Sequence, residues 1–252
     1  MNAADLIAAL ELPASARVDQ RVPKKLLVEN GAPTAADKRR INDGLEEVHW
    51  LAALKPTTIG VPELRDAARE YLEIAVLSAV LRAGAQANRL AELIHRAVPY
   101  PVFLIVSQGD ALALSLAHKR WSQGEAGATV LDGALVVADL GTGHDASVGQ
   151  AFVSALSMAR QPRANLYALY QGWLDTVVAL LAAQVTGTFV LVQSPEQAAA
   201  RHNALAECER LEAQMSGLRA AATKERQVSR QVELNLELKR AQAEHAAARA
   251  KL

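Results

Sequence analysis

The chain has 252 residues, of which 51% are hydrophobic and 4% aromatic, and its 27 basic side chains equal its 27 acidic ones in number. This length and apolar content allow one large folded domain with an appendage. Zero formal net charge excludes a global electrostatic attraction to nucleic acid or to an anionic membrane. The single cysteine, Cys208, excludes a disulfide framework and a cysteine zinc site, so we expect its thiol to pack as a small hydrophobic group.

The first 62 residues predict two helices separated by chain that prolines interrupt. Asn2 or Asp5 is expected to cap a short helix that ends at Leu10. Thr34 is the expected N-cap of a longer helix over residues 34–54, and "PTTIGVP" predicts an extended connector or short strand. The apolar stripe of the longer helix consists of Ile41, Leu45, Val48 and Leu51.

The next segment predicts a sheet. "EYLEIAVLSAVLR" and "YPVFLIVSQGD" are apolar runs typical of buried strands, and "ANRLAELIHRAV" between them predicts an amphipathic helix. "ALALSLAHKR" predicts an antiparallel strand with one solvated face, and "TVLDGALVVADL" predicts one or two more strands. We therefore predict an α+β domain over residues 1–145, with a mostly antiparallel sheet that helices cover on one face.

Residues 146–252 predict helices. Residues 146–193 form a helical pair with a short β insert, "TFVLVQ", and residues 194–252 form a helical or coiled-coil tail that Ser194 caps. The tail is either one straight rod or a hairpin that bends near Ser216 or near Ser229. Its apolar stripe needs a cover, which is its own body, a partner or a second copy of the chain. The candidate partner-binding residues are Leu211, Leu218, Leu234, Leu238 and Leu252.

The stretch "VVADLGTGHD" resembles a short cofactor loop, in which glycines admit a ligand to backbone amides. The residues after it do not supply the further strands of a parallel sheet that such a site needs. We therefore interpret it as a boundary where Asp145 caps the next helix. No ligand pocket is expected over Gly143, and no cofactor is expected.

Basic residues in two segments are the candidate DNA contacts, because cations bind phosphates and an aromatic ring stacks on bases. An alternative is a divergent or degenerate metal-dependent nuclease that uses Glu73 with other acids and with Lys24 or Lys119, although Asp110 lies in a predicted turn and the usual acid-and-lysine spacing is missing. The six histidines are scattered and predict no metal site. The DNA-contact candidates are Arg21, Lys24, Lys25, Lys119, Arg120 and Trp121.

The blocks "RVDQRVPKKLLVENGAPTAADKRRI", "WLAALKPTTIGVP", "EYLEIAVLSAVLR", "AVPYPVFLIV", "LSLAHKRWSQGE" and "KERQVSRQVELNLELKR" occur in this order. They resemble a bacterial family described as a domain of unknown function. The resemblance assigns no catalytic residues. It implies a genomic setting beside DNA methyltransferase, helicase and type III-like restriction genes.

The incomplete acid sets and the apolar tail together favour a non-enzymatic role. We therefore expect an accessory subunit of a restriction–modification or phage-defence system that docks onto a helicase, methyltransferase or nuclease of the same operon. A direct contact with DNA is a further expectation. The N-terminal helix has no basic leader, and no run of about 18 apolar residues is unbroken. A cytoplasmic location without a membrane is therefore predicted.

Overall fold

The computed structural model describes residues 1–125, 127–141, 145–192 and 194–252. These residues divide into two compact units, Met1–Val177 and Val178–Leu252. The first unit holds a sheet with helices, and the second is helical.

The elements follow one another in this order. The helices are α1 (Ala3–Ala9), α2 (Lys24–Gly31), α3 (Ala35–Gly44), α4 (Pro56–Ile59), α5 (Ala87–Ala97), α6 (Ala146–Ala155), α7 (Leu166–Thr186), α8 (Pro195–Lys224) and α9 (Val228–Arg249). The strands are β1 (Arg17–Arg21), β2 (Leu45–Leu54), β3 (Leu64–Arg65), β4 (Glu70–Tyr71), β5 (Ile74–Leu81), β6 (Val102–Gln108), β7 (Ala111–Trp121) and β8 (Thr129–Asp139). Short 3₁₀ turns lie at Ala14–Ala16 and Met158–Arg160.

The main sheet has six strands in the order β1-β2-β5-β6-β7-β8, and β3 pairs with β4 in a separate ribbon. Only β5 and β6 run parallel within the main sheet, because α5 carries the chain across between them. Every other neighbouring pair of the main sheet is antiparallel. The prediction of an α+β fold with a mostly antiparallel sheet is confirmed.

Helices cover both faces of the sheet, so the expectation of one covered face is wrong. Alternate residues of β6 point to opposite sides. Val102 and Leu104 join an apolar cluster that contains Leu93 and Ile94 of α5. Phe103 points the other way and meets Trp173 of α7, with 5.1 Å between the ring centroids. β7 is accordingly buried over most of its length and lacks the solvated face that its alternation predicted.

A tyrosine of α7 ties this helix to the sheet. The Tyr170 hydroxyl donates to the Val102 carbonyl at 2.7 Å and accepts from the Ala117 amide at 2.9 Å. Residues 102 and 117 lie two positions beyond the paired residues Leu104 and Ser115, at the end of the β6–β7 ladder. The hydroxyl therefore satisfies a buried donor and acceptor there, and burial raises its pKa well above the ordinary value.

The prediction of helix from residue 45 to residue 54 is wrong, since this segment is strand β2. The helix begins at its predicted N-cap Thr34, whose hydroxyl accepts from the Asp37 amide at 3.1 Å, but it ends already at Gly44. The β2–β5 register shifts between Leu45 and Glu47. Such a bulge places Leu45 and Val48, three residues apart, in the same apolar cluster. The bulge therefore gives this strand the three-residue spacing of buried apolar residues that is typical of a helix.

The "PTTIGVP" segment holds a single helical turn instead of an extended connector. Pro56 occupies the first helical position, where its missing amide hydrogen is not needed. Gly60 ends the turn with a φ of 65°, which glycine adopts without strain.

The predicted helices after residue 145 are present as α6, α7, α8 and α9. Ser194 caps α8 by accepting from the Gln197 amide at 3.3 Å, with Pro195 at the first helical position. The tail is not one rod, because residues 225–227 separate α8 from α9, close to the predicted bend at Ser229. Within the described part of "TFVLVQ", residues 188–192 have neither helix nor strand.

Among the described residues, α7 is the one helix with the length and apolar composition to cross a membrane. Of its most apolar 18-residue window, 61% is buried inside the protein. A buried core helix passes the same test of length and composition.

Candidate partner-binding groove

A groove of about 1010 Å³ lies beside α5 in the first unit. Residues Asn88, Arg89, Glu92 and Arg96 of α5 form one wall. The segment 29–33, at the end of α2, forms a second wall. The remaining lining comes from β8 and the end of β7, namely Lys119, Arg120, Thr129, Val130, Leu131, Gly133, Ala134, Leu135 and Val137.

The floor of the groove is apolar. Leu131 lies opposite Lys119 and Val137 lies opposite Ser115 on β7, so both side chains project on the face that carries α5. Leu131, Leu135 and Val137 are half-buried. This apolar strip, which its own helices leave half-covered, is available for contact with another molecule.

The α5 wall is charged and held by mutual ion pairs. Arg89 binds the buried Asp37 with two bonds, Nε to Oδ1 at 3.0 Å and Nη2 to Oδ2 at 2.9 Å. Its Nη1 donates to Glu92 at 2.7 Å, and Arg96 binds the other Glu92 oxygen at 2.6 Å. The bonds from Arg89, followed by the one from Thr34, lower the pKa of Asp37 to about 2. The guanidinium groups of this wall are therefore fixed in place before any ligand arrives.

A close approach between helices shapes the second wall. A Cβ atom at Gly31 would lie 2.5 Å from the Leu93 carbonyl oxygen and 2.7 Å from the Ala97 Cβ. Only glycine lets α2 approach α5 this closely. Gly31 therefore sets the position of residues 29–33.

Lys119, predicted as a surface contact for phosphate, lies inside the protein and is 2% exposed. Its ammonium donates to the His95 carbonyl at 2.6 Å and to the Val98 carbonyl, which caps the C-terminus of α5. Burial lowers the pKa of Lys119 to about 8. Burial, followed by the charge of Lys119, lowers the pKa of His95 to about 3, and the neutral ring meets Ser115 Oγ at 3.0 Å. Lys119 therefore acts as a helix cap.

Lys24 caps a second helix in the same way. Its ammonium donates to the Asn42 carbonyl at 3.3 Å and to the Leu45 carbonyl, where α3 ends. Arg82 donates to the neighbouring Asp43 carbonyl at 3.1 Å. Burial, followed by the charges of Arg82 and Arg21, lowers the pKa of Lys24. Arg21, Lys24 and Arg82 thus form a basic cluster, of which sequence reasoning missed Arg82.

The predicted DNA contacts do not converge on one surface. The basic cluster lies where β2 begins and β5 ends, whereas Lys119, Arg120 and Trp121 lie at the opposite end of the sheet. Arg120 approaches Asp132 at 3.6 Å. Lys25 is exposed and approaches Glu29 at 3.7 Å. The side chain of Trp121 is only half-exposed.

The predicted partner-binding leucines form the interior of the α8–α9 hairpin. Leu211 is fully buried with Cys208, Met215, Ala241 and Ala248, which confirms the packed cysteine. Leu218, Leu238 and Leu252 pack against the same cluster, and Leu234 is 7% exposed. The cover that this stripe requires is the other helix of the hairpin, so these side chains are not a free surface.

Comparison with known proteins identifies a family. The model of the family "Domain of unknown function (DUF4391)" matches residues 10–244. The chain belongs to this family. No curated protein and no solved structure matches the chain.

The glycine-containing loop of this DUF4391 chain follows the end of β8. Asp139 accepts from the Gly141 amide at 2.8 Å, and Asp145 caps α6 by accepting from the Ser147 amide at 2.9 Å, which confirms the predicted cap. Thr142, Gly143 and His144 lie outside the described residues, and so does the prediction about a pocket over Gly143.

The acids of the nuclease alternative also lie apart in this DUF4391 chain. Glu73 precedes β5 and is buried beside Lys55, whose Nζ lies 3.1 Å from its Oε2. Asp110 lies in the turn between β6 and β7, at the other end of the sheet. Within residues 1–125, 127–141, 145–192 and 194–252, no three histidine, cysteine or acidic side chains are grouped so that they could hold a metal ion.

Sequence reasoning did not nominate the charged wall of the groove, although the sequence carries a signal for it. Arg89, Glu92 and Arg96 recur at intervals of three and four, opposite the apolar face of α5. Asp37 was visible as an acid in the first turn of α3. Its pairing with Arg89, 52 positions later, depends on the tertiary fold.

Proposed function

We propose that this protein is a non-enzymatic accessory subunit that docks onto a partner protein through the groove between α5 and β8. The partner is a helicase, methyltransferase or nuclease of a bacterial restriction–modification or phage-defence system, as the family resemblance implies. The observation that supports docking is the apolar floor of Leu131, Leu135 and Val137 beside a prearranged charged wall.

The fixed wall favours binding because little side-chain freedom is lost when a partner arrives. Arg89 makes three bonds to Asp37 and Glu92 before any partner is present. An immobilised side chain otherwise opposes association by roughly 0.5–1.5 kcal/mol. The half-buried floor supplies apolar area, and the ionic wall supplies selectivity.

Co-expression tests the docking surface. The full chain is produced with the products of its neighbouring genes, and the stoichiometry of the purified complex is measured. Leu135→Asp is expected to abolish co-purification because a charge enters the floor, and Leu131→Asp repeats the test at a second half-buried position of the floor. Leu236→Asp is the control, because Leu236 is an exposed apolar residue of α9. A complete complex with folded Leu135→Asp and Leu131→Asp proteins would refute the groove as the docking surface.

Direct DNA contact is a second proposal, which the basic cluster of Arg21, Lys24 and Arg82 supports. Arg21 and Arg82 are exposed, so they present guanidinium groups to solvent. We expect weak, salt-dependent binding to a labelled DNA duplex in fluorescence anisotropy. The double substitution Arg21→Ala and Arg82→Ala should reduce the slope of log affinity against log salt concentration by about 1 for each phosphate that is no longer neutralised, whereas Lys239→Ala should leave this slope unchanged. An unchanged slope would argue against DNA binding at this cluster.

A further inference from the structure

The two edges of the main sheet differ in how they are protected. β1 has five residues, an irregular register with β2 and a residue with positive φ, Asp19. Such irregularities discourage the pairing of a further strand. β8 has eleven residues and pairs with β7 alone among the described strands. It also lines the groove, so the open edge and the candidate docking surface coincide.

The hydrogen-bond pattern shows which groups of β8 point outward. The Leu140 amide donates to the Leu112 carbonyl at 2.7 Å, so these two residues form a bonded pair. Bonded and non-bonded pairs alternate along an antiparallel ladder. The Ser115–Val137 pair is therefore non-bonded. The amide and carbonyl of Val137 point away from β7.

The same reasoning applies to the start of β8. The Ser122 amide donates to the Ala128 carbonyl at 2.9 Å, which makes this a bonded pair. Because the two kinds of pair alternate, Trp121–Thr129 is non-bonded, Arg120–Val130 is bonded and Lys119–Leu131 is again non-bonded. Thr129 and Leu131 thus direct their backbone groups outward. A bulge at residues 133–135, with Gly133 at a φ of 84°, separates this segment from Val137.

We propose that the partner supplies an extended segment, apolar at alternate positions, that adds a strand to the outer edge of β8. This inference rests on the proposed docking function and specifies the form of the bound segment. Main-chain bonds to Thr129, Leu131 and Val137 give affinity, and side chains on the α5 side enter the groove. Leu131, Leu135 and Val137 on that side are apolar and half-buried, which selects apolar residues at alternate positions of the segment.

A second copy of the chain is the alternative source of the added strand. Pairing of β8 with its own copy would use the same outward backbone groups of Thr129, Leu131 and Val137. Light scattering of the purified full chain tests this alternative. A dimer that Val137→Pro dissociates and Val137→Ala preserves would overturn the proposal of a partner segment.

A matched pair of substitutions isolates the backbone contribution. Val137→Pro removes an outward amide hydrogen without touching the bonds to β7, and proline is tolerated on such an edge. Val137→Ala removes a similar amount of side chain and keeps the amide. Leu131→Pro and Leu131→Ala repeat the comparison on the other side of the bulge. Circular dichroism and melting temperature establish that all four variants fold.

A phage-displayed library of random 12-residue peptides, panned on the full-length chain, supplies the probe. The selected peptides are expected to carry apolar residues at alternate positions. The most enriched peptide, synthesised with a fluorophore, should bind each proline variant at least tenfold more weakly than its alanine counterpart. Absence of enrichment, or equal binding to the proline and alanine variants, would overturn strand addition.

The co-expressed complex separates failure of this inference from failure of the docking proposal. If the complex disappears with Leu135→Asp but responds equally to Val137→Pro and Val137→Ala, docking in the groove stands and strand addition is wrong. If none of these substitutions affects the complex, both proposals are wrong.

Discussion

Substitution of Gly31 by alanine should destabilise the protein, because the added methyl group has no space between α2 and α5. Its Cβ would lie 2.5 Å from the Leu93 carbonyl oxygen, 2.7 Å from the Ala97 Cβ and 3.0 Å from the Ala97 amide nitrogen. The carbon–carbon distance is about 0.8 Å shorter than the closest optimal separation of roughly 3.5 Å. These neighbours are backbone or Cβ atoms that no rotamer change can move, so the two helices must separate.

The expected magnitude is a difference between two opposing effects. Overpacking costs about 1–3 kcal/mol. Replacing a helical glycine by alanine returns about 0.5–1 kcal/mol. The midpoints of these two ranges give a net loss of about 1 kcal/mol in the free energy of unfolding, which lowers the melting temperature by roughly 2–4 °C for a protein of this size.

Gly149→Ala is the matched control. Gly149 lies in α6, and its added Cβ would meet nothing within 4 Å. The free energy of unfolding should therefore rise by about 0.5–1 kcal/mol. Urea denaturation followed by circular dichroism measures both variants. A Gly31→Ala protein as stable as the wild type would refute the proposed close approach, and a destabilised Gly149→Ala protein would show that helix propensity has been misjudged.

Three further predictions concern charge and packing. Since Arg89 and Thr34 lower the pKa of Asp37 to about 2, the ionised Asp37 stabilises the fold fully above about pH 4, and this stabilisation is lost as the pH falls toward 2. Asp37→Asn should therefore flatten the dependence of the free energy of unfolding on pH between about 2 and 4, as urea denaturation measures it, and an unchanged dependence would contradict the ion pair. Lys119 should resist amine acylation at pH 8.5 while the exposed Lys25 reacts, as mass spectrometry of the peptides would show; equal labelling would place Lys119 at the surface. Leu211→Ala should cost about 2–5 kcal/mol in urea unfolding, whereas the exposed Leu236→Ala should change stability by less than about 0.5 kcal/mol; similar effects would refute the hairpin core.

Local signals in the sequence were sufficient for several elements. Thr34 and Asp145 each start a helix, since a side-chain oxygen that binds a nearby amide needs no distant partner. The apolar runs of β5 and β6 are long enough to indicate buried strands without knowledge of their neighbours. The α+β class followed from the order of these elements.

The errors arose where a distant partner decides the outcome. Leu45 and Val48 share a face only because β2 is bulged against β5, and periodicity alone cannot distinguish that spacing from a helix. The roles of Lys24 and Lys119 depend on where α3 and α5 end in space. A lysine in a basic run looks the same in sequence whether it binds phosphate or caps a helix. The groove likewise joins residues from α2, α5 and β8 that the chain keeps far apart.

The hydroxyl of Tyr170 has a consequence for the order in which the protein is assembled during synthesis. All eight strands precede Tyr170 in the chain, so they leave the ribosome first. Until α7 emerges, the Ala117 amide and the Val102 carbonyl, at the end of the β6–β7 ladder, lack their hydrogen-bond partner. The nascent sheet therefore remains incomplete over that interval, and a chain truncated before residue 170 should expose this end of the sheet to chaperones and proteases.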